Sequence, residues 1–130
     1  MSEYKLKIGI DLDNTITASH ISMVFFAFLT NFLKEEAEIF IMTNRETDED
    51  SRKEIEQELF QMNIRYDRLV ITGQKAEFIL SEGIHILFED TDEYYIELPS
   101  SVLVFKIREP GNFDFDQHKW IYGDKTGRKI

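Results

Sequence analysis

Residues 6–12, LKIGIDL, form an apolar, β-branched run that stops at an acid-rich turn, as a strand buried on both faces does. We read a first strand over 4–10. Ser19 or Thr17 can cap a following helix through MVFFAFLTNFLKEE, where charge enters only near the end. A helix apolar nearly all round predicts deep burial, with a self-association face as the alternative. A second strand over 38–42 leads into Thr43-Asn44-Arg45, and Thr47 with Asp50 marks the start of a capped helix. In that helix Ile55, Leu59 and Met62 recur at helical spacing among charged positions, so it packs on one side only. The cycle repeats with a strand over 68–71, a turn at Gly73, a helix over 75–81, a terminator at Gly83 and a strand over 84–88. Beyond an acidic segment and Pro99 comes a fifth strand over 102–107, then Pro110-Gly111. Strands alternating with helices through right-handed crossovers predict an α/β fold. It is a doubly wound three-layer αβα sandwich on a mainly parallel five-stranded sheet, over one domain at 1–130 whose 108–130 tail packs on it.

Composition narrows the function classes. With 25 acidic against 15 basic residues the chain carries a formal charge of −10, which repels phosphate backbones and anionic membranes. The expectation is therefore no nucleic acid polymer and no membrane as partner. Cysteine is absent, which removes disulfides, thiolate zinc sites and a cysteine nucleophile. No signal-like leader opens the sequence and the apolar run over 21–33 falls short of a ~20-residue span, so a cytoplasmic location is expected.

Ligands of doubly wound sheets bind at the carboxyl ends of the strands. There the first strand ends in Asp11-Leu12-Asp13-Asn14-Thr15, the second in Thr43 and the fourth in Glu89-Asp90, while Lys75 opens the helix after the third. Two like charges about 4 Å apart repel by ~4 kcal/mol at an effective dielectric near 20, so Asp11, Asp13 and Asp90 need a positive partner. Oxygen-only ligands without histidine or thiolate favour magnesium, and magnesium shares phosphate oxygens, which points to a phosphate ester or acyl phosphate. Lys75 and the Thr43 hydroxyl can hold the remaining phosphoryl oxygens.

DLDNT at 11–15, Thr43, Lys75 and FED at 88–90, in that order and context, resemble the motifs of the haloacid dehalogenase (HAD) superfamily. The resemblance implies Asp11 as a nucleophile that becomes an aspartyl phosphate, and Asp13 as general acid and then base with its backbone carbonyl on the metal. It also implies Thr43 and Lys75 as catalytic and phosphate-binding groups, and Asp90 as a magnesium ligand with Glu89 as helper. Asp11, Asp13, Asp90 and Glu89 form the expected metal set; Thr43, Asn44, Arg45 and Lys75 form the phosphate contacts. Because the dehalogenases lack the second acid, Asp13 favours phosphoryl chemistry. The TNR after the second strand is similar to small nucleotidase-like members.

The stretch between Asp11 and Thr43 is filled by a helix and a strand, which leaves no room for a cap domain of about 50 residues or more. The expectation is an open, capless site, closed by its substrate or by a second subunit in a homo-oligomer. The resulting reading is a magnesium-dependent phosphatase that hydrolyses phosphate monoesters of a small phosphorylated metabolite. The alternative is a non-catalytic phosphate or metal sensor, or a receiver-like signalling domain. Asp92 and Glu93 are read as solvated acids, His20 as an exposed helix start and His85 as structural. Phe113, Phe115, Trp120 and Tyr122 are read as cover for a sheet edge, with base stacking as the alternative and no basic patch beside them.

Overall fold

The strand Ala37–Thr43 (β2) sends Ile39 and Ile41 to one face of a sheet and Phe40 and Met42 to the other, and all four are fully buried. A strand loaded on both faces belongs at the centre of a sheet covered by helices on each side. The computed structural model, which describes residues 5–121, places it there. Five strands lie parallel in the order β3-β2-β1-β4-β5, where β1 is Leu6–Asp11, β3 Arg68–Ile71, β4 Ile86–Glu89 and β5 Leu103–Lys106. The helices are α1 (His20–Phe32), α2 (Glu49–Gln61) and α3 (Lys75–Glu82). One core joins Ile8, Ile10, Ile39 and Ile41 to Phe26 of α1 and to Ile55 and Leu59 of α2. The other joins Phe40, Met42 and Leu87 to Ile79 of α3. The fold is the expected three-layer α/β arrangement.

Local chemistry sets the helix ends. The Ser19 hydroxyl accepts the Ser22 amide, and the Asp48 carboxylate, one residue past the expected Thr47, accepts the Ser51 amide. Gly83 ends α3 at φ 77°, a left-handed conformation that a side chain would strain.

The expected deep burial of the first helix is corrected. Only Phe26 and Thr30 of α1 are buried, whereas Ile21, Phe28 and Phe32 stand 79%, 73% and 82% exposed. A helix on the outer layer meets the sheet along one stripe, however apolar its remaining positions are. The structure adds elements absent from the sequence reading: 3-10 turns at Ile16–Ala18 and Asp92–Tyr94, and a hairpin of β6 (Phe113–Asp114) with β7 (Lys119–Trp120). Tyr4, expected in the first strand, and Tyr122 lie outside the described residues. Among the described residues no helix is long and apolar enough to cross a membrane.

Chain order reverses between β1 and β4. The chain fills β1, β2 and β3 toward one edge and then returns to place β4 and β5 on the other side of β1. Splayed connections at such a reversal open a crevice at the carboxyl ends of its two strands.

Candidate metal and phosphate site

Asp11 ends β1, and Glu89 and Asp90 close β4, so three carboxylates meet at that crevice. Their nearest oxygens lie within 4.8 Å of one another, and all three residues are buried. Lys75, at the first position of α3 and 2% exposed, reaches across with Nζ 2.6 Å from Asp11 Oδ1 and 3.1 Å from Glu89 Oε1. Thr15 donates its hydroxyl to Asp11 Oδ2 at 3.1 Å, and the amides of Asp90 and Thr91 each donate to Glu89 Oε2 at 3.2 Å. Every buried side-chain oxygen and nitrogen among the described residues has a partner.

The charges do not balance: three carboxylates face one ammonium. Burial, followed by the hydrogen bond and repulsion from neighbouring carboxyls, pushes Asp90 up to about 9. Burial and the Asp11 charge push Glu89 up to about 7. Burial works against the charge of Lys75, but Asp11 and Glu89 outweigh it and hold its pKa above the ordinary value. A bound cation would replace the protons this cluster otherwise retains. The triad of Asp11, Glu89 and Asp90 can hold a metal ion, and its donors are all hard oxygens.

Asp13 is half-buried and is not one of the three clustered carboxylates. Arg45 grips it with Nη2 at 2.6 Å from Oδ1 and Nε at 3.1 Å from Oδ2, and the Thr43 hydroxyl donates to it at 3.2 Å. Arg45 is held in turn by Glu58 of α2, at 2.5 Å. The Arg45 hydrogen bond holds the Asp13 carboxyl below its ordinary value, against the opposing effect of burial. Asn44, exposed at the rim, donates to the Tyr94 hydroxyl at 2.8 Å, and the Tyr94 ring lies 4.4 Å over Lys75 Nζ. The site residues therefore fall into two groups, a buried one around Lys75 and a half-exposed one around Arg45, with Thr43 at the end of β2 carrying the hydroxyl that serves the second.

Comparison with known proteins bears on the fold. No family model matches the chain, and no curated protein matches it. A chain of the solved Pnkp1/Rnl/Hen1 complex is similar in structure, with a TM-score of 0.61 at 18% sequence identity over 83% of this chain. The likeness is one of fold. This chain spans 48% of that neighbour's length.

That finding corrects three expectations. Membership of the haloacid dehalogenase superfamily is not carried forward, since no family model supports it and the structural neighbour is a chain of the Pnkp1/Rnl/Hen1 complex. The physical reason is that any doubly wound parallel sheet brings whatever residues end its strands and open its helices to one rim, so their shared placement does not fix a family. The reading as a magnesium phosphatase of small phosphate monoesters, with its sensor or receiver alternative, is overturned with it. So is the expected partner set of a small metabolite without nucleic acid polymer, because the neighbour is one component of a multiprotein complex.

Several groups escaped the sequence reading. Thr15 lay inside the DLDNT motif, yet its contact to Asp11 depends on the turn after β1. Glu58 and Tyr94 carried no sequence signal at all. Asp92, read as solvated, accepts from the Tyr95 hydroxyl and pairs with Lys106 at 2.7 Å.

Proposed function

We propose that this protein is a divalent-metal-dependent phosphoryl-transfer enzyme that acts on the phosphorylated end of a polynucleotide, working as one component of an assembly. The observation that carries the reading is the buried triad of Asp11, Glu89 and Asp90 with Lys75 against it, at the chain reversal of the sheet. Oxygen donors favour magnesium, held by those three residues, and a bound dication would polarise a phosphoryl oxygen. Lys75 would neutralise charge on the phosphate, and the Thr43 hydroxyl and Asn44 amide would orient it. Arg45 spans Asp13 and Glu58; in this reading it would shift onto an incoming phosphate and free the Asp13 carboxylate to exchange a proton.

In this reading the terminal phosphate enters the triad site while the rest of the polymer stays outside. The likeness to a chain of the Pnkp1/Rnl/Hen1 complex supports the assembly, as does the exposed row of Ile21, Phe25, Phe28 and Phe32 on α1.

Calorimetric titration with magnesium, combined with phosphate release from an end-phosphorylated oligonucleotide, tests the reading. The wild type binds the cation and turns over, Asp90→Asn loses the cation, and Asp11→Asn loses turnover while staying folded. Turnover that survives chelation or Asp11→Asn overturns it.

A further inference from the structure

We propose that the β6–β7 hairpin is a stacking platform for a single polynucleotide strand whose end enters the triad site. The idea rests on the function proposed above for its substrate class and adds a binding surface of its own.

The hairpin gathers rings and cations in one place. Phe113 pairs with Trp120 across the strands, and its ring meets those of Phe115 and Trp120 edge-on, each at 5.0 Å. The Arg108 guanidinium lies 4.8 Å over Phe113 and 5.0 Å over Phe115, and Lys106 Nζ lies 3.8 Å over Trp120. A cover for the sheet edge would bury its rings. Here only Phe113 is buried, Phe115 and Trp120 stay 46% and 38% exposed, and Leu103 and Phe105 of edge strand β5 remain exposed. Half-exposed rings capped by cations are the materials of sequence-tolerant single-strand binding: bases stack on Phe115 and Trp120 as Arg108 moves onto a phosphate, while Lys106 stays paired with Asp92.

Charge singles out Arg108. Arg45, Arg52, Arg65 and Arg68 each pair with a carboxylate, whereas among the described residues Arg108 has none. In a chain of net charge −10 an arginine without an ion pair, its guanidinium over two rings, is available to an external anion. Asp114, in the same hairpin, is turned to the amides of Asp116 and Gln117.

The platform is tied to the site. Asn112 donates to the backbone carbonyl of Asp90 at 2.9 Å and of Ile107 at 2.8 Å, and Lys106 sits beside Glu89 in the β4–β5 register. In the proposal, a strand stacked on Trp120 and Phe115 would lead from this anchored hairpin toward the triad.

Trp120 is the chain's one tryptophan, so its fluorescence reads stacking directly. The full chain, in chelator and at low salt, is titrated with an unphosphorylated oligothymidylate, and binding is also followed by anisotropy of a labelled copy. The expected result is saturable quenching, weakening of about tenfold or more for Trp120→Ala and Phe115→Ala, and a comparable loss for Arg108→Ala that Arg108→Lys partly restores. Absent quenching, or wild-type affinity in all three alanine variants, overturns the platform. Hairpin-dependent strand binding without phosphate release sinks only the proposed reaction, and phosphate release with unaltered strand affinity in the variants sinks only the platform.

Discussion

Lys75 places its ammonium 2.6 Å from Asp11 Oδ1, with the two side chains only 2% and 6% exposed. The same ammonium serves Glu89, so one buried cation joins the ends of β1 and β4 to the start of α3. The pair is thus both an element of the site and a clamp across the chain reversal.

Lys75→Met leaves buried carboxylates without a counter-ion, which should cost ~3–5 kcal/mol near neutral pH. Urea denaturation of the metal-free protein measures it, and saturating magnesium should recover part of the loss. A cost under ~1 kcal/mol, the value of a surface pair, would show that the clamp contributes nothing beyond one.

Stability of the metal-free protein should fall as pH rises. Glu89 and Asp90 titrate at about 7 and about 9 when folded, against ordinary values of 4.5 and 3.8. Between those limits the folded state holds protons that the unfolded chain has released, so their contribution is full below the ordinary values and is lost progressively up to the folded ones. Melting temperatures in chelator across this range should decline, and Asp90→Asn should flatten the slope. Magnesium affinity should rise over the same range because the ion competes with those protons.

The Arg45 fork should set the acidity of Asp13. Arg45→Ala removes the hydrogen bonds that hold this carboxyl down, so its midpoint, followed by carboxyl carbon NMR, should rise toward 3.8. A lowered folded value gives stability above the ordinary one that disappears as pH falls, and Arg45→Ala should erase that acid-side loss. Since the pair is 30% and 44% exposed, the stability effect should stay within ~1 kcal/mol.

Neighbouring aromatics of α1 should behave oppositely. Phe26, 2% exposed and edge-on to Phe88 at 5.3 Å, should cost ~3–5 kcal/mol as alanine. Phe32, 82% exposed, should change stability by less than ~0.5 kcal/mol as alanine. Equal effects on chemical denaturation would mean that the exposed face is covered in solution.

The sheet and the acid-bearing strand ends were legible in the chain because their signals are local. An apolar run such as that of β1 states its own burial, and Asp11, Glu89 and Asp90 declare where such runs stop. Lys75 announced itself as a helix start. Those features follow from neighbours in sequence, which share one backbone conformation.

What the chain alone left open depends on partners distant in sequence. The Asp13–Arg45–Glu58 relay joins three elements, so no spacing encodes it. The apolar positions of α1 read alike, and only the docking of one stripe on the sheet separated buried Phe26 from exposed Phe28. The aromatic tail likewise became a cation-bearing hairpin beside Asp90 only when Asn112 tied it to the end of β4, because strands of two residues each are too short to hold their register without such an anchor.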